Sequence, residues 1–135
     1  MPQDLIFGPM GALALLTFTV LGFIPATRFR AGFAGQVTSD DFKLGESARV
    51  PPQVAVTNRN YMNLLELPML FYVAGLMYFV AGRVNVTVLI VAWAYVALRA
   101  IHSLIHLTYN KVTHRLVAFA LSNAVLAALW ILFFV

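Results

Sequence analysis

Four stretches of the chain are long and apolar enough to be membrane spans: Leu5 to Ile24, Tyr61 to Val80, Val84 to Leu107 and Leu116 to Val135. Each supplies about the 20 residues that a helix rising 1.5 Å per residue needs to cross ~30 Å of hydrocarbon. Lipid offers backbone amides and carbonyls no partners, so only helices or closed barrels can span it. A barrel would show ~10-residue stretches alternating apolar and polar side chains, and none is present. The expected fold class is all-α, an integral membrane four-helix bundle in one domain over residues 1–135. Its helices are expected at about 5–24, 60–80, 84–108 and 115–135, with a polar connection over 31–58. Charged residues make up only 10% of the 135, against roughly 25% in soluble domains. The first segment begins Met1-Pro2-Gln3-Asp4, without the cationic stretch that opens a signal peptide, and is expected to be retained as a helix.

The charges orient the bundle. Arg28, Arg30, Lys43, Arg49 and Arg59 lie between the first and second spans and Lys111 and Arg115 between the third and fourth, whereas Arg83 stands alone in the remaining connection. The positive-inside rule predicts both termini outside and the two basic connections in the cytoplasm. The cations flank spans and are not interleaved with aromatics in a basic stripe, so anionic lipid and not nucleic acid is their expected partner. The chain contains no cysteine, which excludes disulfides, thiolate metal sites and a cysteine nucleophile. Any thiol chemistry has to use a thiol that arrives with a substrate.

Within this apolar background, Arg59, Asn63 and Glu66 stand out. They are spaced i, i+4 and i+7, and at about 100° per residue they project from one side of a helix within roughly 60°. Pro68 follows at once and is expected to bend the helix, because it has no amide hydrogen to give the carbonyl four residues back. A second polar stripe runs along the third span, where Tyr95, Arg99, His102, His106 and Tyr109 share a sector of roughly 80°. On the fourth span Arg115 and Ser122 fall on one side, with Asn123 close to it.

A charge at the centre of a membrane helix costs about 2.5–3.5 kcal/mol on insertion scales. Glu66 lies about 10 Å inside Arg59, and Arg99 about 15 Å from the end of its own helix. An ion pair between Glu66 and Arg99, joining the second and third spans, is therefore expected. Interhelical polar contacts can also simply hold a bundle together, and Arg59 can snorkel to the interface as an anchor. His102 and His106 have the i, i+4 spacing of a zinc pair, but no HExxH motif accompanies them and the neighbouring cations disfavour a metal. No metal site is expected.

Taken together, Arg59-x3-Asn63-x2-Glu66-x-Pro68, Arg99-x2-His102-x3-His106 and Arg115 at the head of the fourth span closely resemble the MAPEG family, the membrane-associated proteins in eicosanoid and glutathione metabolism. The resemblance covers the whole chain and includes the long first connection and the short later ones. It implies a homotrimer that binds glutathione between neighbouring subunits near the cytoplasmic side. It also implies a membrane glutathione transferase or peroxidase acting on lipophilic electrophiles or lipid hydroperoxides. Together with the compact chain, the resemblance implies a bacterial cytoplasmic membrane. Carried over by position, Arg59, Asn63, Glu66, His102, His106 and Arg28, with Arg30 beside it, resemble the glutathione contacts. Arg99 resembles the family's structural partner to Glu66, and Arg115 the arginine beside the sulfur.

The inventory suits that ligand. Glutathione carries two carboxylates and an ammonium, which call for guanidinium forks and a carboxylate. A thiol with an ordinary pKa near 8.5 is mostly protonated at neutral pH, and an adjacent guanidinium favours the nucleophilic thiolate. The sequence departs from the family's eicosanoid synthases where Leu116 and Phe119 follow Arg115 and where His106 replaces a common Tyr. A general transferase or peroxidase is therefore expected rather than a prostaglandin- or leukotriene-specific enzyme. The alternative is a non-catalytic lipid-binding member that presents a lipid to a partner. A small four-helix exporter would want its membrane carboxylate in the first span, where this chain has none after Asp4.

Overall fold

Hydropathy marks where a helix meets lipid, not where it stops, and the first span shows the difference. The computed structural model, which describes residues 1–135, is all-helical. A short 3-10 turn, Gln3–Ile6, leads into α1 (Phe7–Phe33), which runs well past Ile24. Arg28, Arg30 and Ala31 are good helix formers and extend the helix beyond the apolar stretch. It ends in a Schellman turn: Gly35 takes φ 73°, its N–H bonds the Gly32 carbonyl at 3.0 Å, and the Gln36 N–H bonds that of Ala31 at 3.0 Å.

The second span also starts earlier than expected. Pro51 is extended (φ −60°, ψ 147°) and Pro52 opens α2 (Pro52–Leu65), since a proline is well suited to the first helical position, where its missing amide has no partner to lose. The connection expected over 31–58 therefore shrinks to 34–51, and Arg59 sits within a helix rather than at its start. The span is also divided. After α2 the chain breaks at Glu66 and resumes as α3 (Pro68–Val80), the two helices together making one candidate crossing over Pro52–Val80. Next come α4 (Val86–Leu107), capped by the Asn85 side chain accepting from the Val88 N–H at 3.0 Å, and α5 (Val112–Phe134). Four helical stretches are long and apolar enough to cross a membrane.

Packing centres on α4, whose buried face carries Ala92, Tyr95, Arg99, His102 and His106. Phe71 of α3 stacks on Tyr95 with ring centroids 4.8 Å apart. The Tyr78 hydroxyl donates to the Leu129 carbonyl at 2.7 Å, tying α3 to α5. Gly75 lets α3 approach α1 so closely that a Cβ there would lie 2.6 Å from the Met10 sulfur. The outward faces are apolar: Leu15 and Phe18 are each 68% exposed on the isolated chain, which suits hydrocarbon and not water.

The two ends of the bundle differ. At the Arg83 end, Gln3 clasps Val84 through both its amide and its carbonyl. At the opposite, basic end, residues 34–51 form an ordered cap. There the Asp41 carboxylate accepts from the Thr38 N–H at 2.8 Å and the Ser47 hydroxyl at 2.7 Å. These bonds, with Thr38 the larger influence, hold its carboxyl below the usual carboxylate value.

Candidate functional site

The basic end opens between α2, α4 and α5 as a cleft of about 420 Å³, within the range of about 300–1,000 Å³ typical of small-molecule sites. From α2 and its broken end come Arg59, Asn63 and Glu66, from α4 His102 and His106, and from α5 Arg115. Helical spacing explains the α2 wall, because residues at i, i+4 and i+7 share a face. The same spacing on α4 places His102 and His106 side by side, with ring centroids 5.8 Å apart. Both imidazoles are buried, and neither Nδ1 has a hydrogen-bond partner in the protein. Met62, Val112, Leu116 and Phe119 supply the apolar part of the wall.

Arg115 is half-buried and held in place. Its Nη1 donates to the Asn110 Oδ1 at 2.8 Å. Asn110 sits in the turn between α4 and α5 with φ 48°, a left-handed conformation that asparagine tolerates better than most residues. By sequence Asn110 is only part of the short connection between the third and fourth spans. The available signal was its type, an Asn between a helix end and the next helix start, where left-handed residues concentrate.

One expectation requires correction. The ion pair between Glu66 and Arg99 is not formed: the one ion pair within the chain joins Arg28 and Glu46 at 3.9 Å. Glu66 stands at the helix break with ψ −97°, far from the helical value near −42°, and is exposed on the cleft side. Arg99 is fully buried behind the cleft. Its Nη2 donates to the Asn63 backbone carbonyl at 2.7 Å, its Nη1 reaches the Ser122 Oγ at 3.5 Å, and its guanidinium lies 5.8 Å from the Phe119 ring centre.

Arg28 is not in the cleft of its own chain. It lies beneath the cap, 4.4 Å from the Phe42 ring centre, and lines a separate cavity of about 550 Å³ between the end of α1 and residues 37–42. Arg30 is exposed and lines neither cavity.

Electrostatically, the cleft sets the guanidinium groups of Arg59 and Arg115 against one carboxylate, Glu66, with the Arg99 charge directly behind. Such a site suits an anionic ligand that also carries one cationic group. Its carboxamide and two imidazoles add hydrogen-bonding capacity without adding negative charge.

Neither a search of curated proteins nor one of solved structures finds a match to this chain. The protein-family comparison does: the model of the MAPEG family matches residues 6–135, so that the helices, the cleft and the residues lining it all fall within the match, and the chain belongs to the MAPEG family.

Proposed function

We propose that the protein is a membrane-embedded glutathione-dependent transferase or peroxidase that acts on lipophilic electrophiles or lipid hydroperoxides. Membership of the family supports a membrane glutathione transferase or peroxidase function, or a related one, in general terms. The observation that carries the specific reading is the meeting of Arg59, Asn63, Glu66 and Arg115 in one cleft.

In this reading the guanidinium of Arg59 takes a glutathione carboxylate, Glu66 takes the ammonium, and Asn63, His102 and His106 bond the peptide groups. Arg115, fixed by Asn110, lies beside the sulfur and stabilises the thiolate. In conjugation the sulfur bonds an electrophilic carbon as the leaving group departs with its electron pair. In peroxide reduction two glutathiones and one hydroperoxide give a disulfide, an alcohol and water. The lipophilic partner enters from the bilayer past Leu116 and Phe119, and holding the two reactants together supplies much of the rate.

The reading includes a homotrimer in the cytoplasmic membrane with both termini outside. Arg28 lies beneath the cap of its own chain, so its part in binding glutathione is played in the cleft of a neighbouring subunit. The apolar Val112, Leu116 and Phe119 side of the cleft is the feature that would favour the second reading, a non-catalytic lipid-presenting protein.

Calorimetry in detergent separates the two. Glutathione is expected to bind the wild-type protein and to bind Arg59→Ala at least tenfold more weakly, since a charge-assisted bond contributes about 1.5–3 kcal/mol. Absence of binding to the wild type, or binding unchanged by the substitution, would favour the lipid-presenting role.

A further inference from the structure

The break in the second span falls inside the proposed binding stripe. In an unbroken helix the Leu67 N–H would bond the Asn63 carbonyl and the amide of residue 68 would bond that of Leu64. Here the last α2 bond runs from the Glu66 N–H to the Met62 carbonyl at 3.1 Å. The chain then tightens, with Met69 bonding Glu66 at 3.1 Å and Leu70 bonding Leu67 at 2.9 Å. Leu67 gives no bond to Asn63, and Pro68 has no hydrogen to give Leu64. A carbonyl left bare at membrane depth costs several kcal/mol.

The Arg99 guanidinium occupies the vacated position at Asn63, with Nη2 2.7 Å from the carbonyl oxygen. The same side chain reaches Ser122, whose hydroxyl in turn donates to the Phe119 carbonyl at 2.8 Å. Asn63 and Phe119 both line the cleft, on opposite walls. Arg99 is 0% exposed and touches neither opening.

We infer that Pro68 and Arg99 are paired positioning residues: Pro68 keeps the helix open at Glu66, and Arg99 replaces the lost amide donor, so that Glu66 is turned into the cleft and the α2 and α5 walls keep a fixed separation. Neither residue contacts the ligand. The inference rests on the glutathione reading for its functional consequence, whereas the structural coupling of the two residues stands apart from it. It also accounts for a buried arginine with no carboxylate beside it: its partner is a backbone carbonyl that the break exposes.

The test is a cycle of Arg99→Met, Pro68→Ala and the double variant in detergent, with thermal unfolding and glutathione calorimetry on each. Arg99→Lys serves as the conservative variant, because an ammonium can still donate to the Asn63 carbonyl. Arg99→Met is expected to lower the unfolding temperature and weaken glutathione binding by about tenfold or more. Pro68→Ala restores an amide and lets the helix continue, so it is expected to remain folded yet bind glutathione about tenfold more weakly, by withdrawing Glu66. The double variant is expected to recover unfolding temperature relative to Arg99→Met without recovering binding, while Arg99→Lys recovers part of both.

Additive effects of the two substitutions on unfolding would overturn the pairing. Pro68→Ala binding glutathione as tightly as wild type would overturn the positioning role. Failure of the wild type to bind glutathione would sink the functional reading alone, leaving the unfolding cycle to decide the coupling.

Discussion

Asn110 offers a clean separation of backbone from side-chain effects, because it has two jobs. Its φ of 48° is a left-handed conformation that disfavours most L-residues by roughly 1 kcal/mol but that glycine adopts freely. Its Oδ1 also accepts a 2.8 Å bond from Arg115. A hydrogen bond to a charged group contributes about 1.5–3 kcal/mol. Arg115 is only half-buried, so solvent screening reduces the figure to about 1 kcal/mol. Asn110→Gly keeps the turn and frees the guanidinium, whereas Asn110→Ala loses both. In thermal unfolding in detergent Asn110→Gly is expected to lose only the bond, about 1 kcal/mol, and Asn110→Ala to lose roughly 1 kcal/mol more for the left-handed backbone. The pH at which bound glutathione ionises is expected to rise by a similar amount in both, a little under one unit for about 1 kcal/mol. An Asn110→Gly protein with the wild-type ionisation curve would refute the claim that Asn110 positions Arg115.

Other tests reach different parts of the molecule. Asp41 has its carboxyl held below its ordinary value of 3.8 by the Thr38 N–H and the Ser47 hydroxyl. Its contribution is therefore present above that value and lost as pH falls through the lower folded value; proteolysis of residues 34–51 is expected to accelerate only in that acid range, and Asp41→Asn to abolish the dependence. Gly75→Val forces a side chain against the Met10 sulfur, where even a Cβ would lie at 2.6 Å, and is expected to destabilise the bundle by about 1–3 kcal/mol. Adding Met10→Ala should restore much of that loss in thermal unfolding. Tyr78→Phe removes the bond to the Leu129 carbonyl and should cost about 0.6 kcal/mol, the average for such membrane contacts; a loss beyond about 2 kcal/mol would show that the bond does more than join α3 to α5.

The spans were legible because hydrocarbon selects apolar residues along the whole length of a helix, as in the 23 residues of α5. The ends were not, because Arg28 and Arg30 on α1 and Gln53 to Arg59 on α2 are helical outside any apolar stretch, and hydropathy does not register helicity in a polar environment. The residues lining the cleft could be grouped from their spacing, since i, i+4, i+7 periodicity survives whatever the helices pack against. The partner of Arg99 could not be read at all. A carboxylate announces itself in a sequence, whereas the Asn63 carbonyl is a backbone atom that every residue carries, and it became an acceptor only through the break at Glu66. Arg28 resisted assignment for another reason: its place beneath Phe42 depends on how the cap folds back over α1, a tertiary event with no local periodicity.

The central claim is that Arg115 stabilises a glutathione thiolate. Ultraviolet difference absorbance of glutathione bound to the detergent-solubilised protein, wild type against Arg115→Ala, tests it directly. A thiolate signal at neutral pH in the wild type, and its displacement to higher pH in Arg115→Ala while glutathione still binds, is the predicted result. A thiolate signal of equal size and pH dependence in both proteins would contradict it.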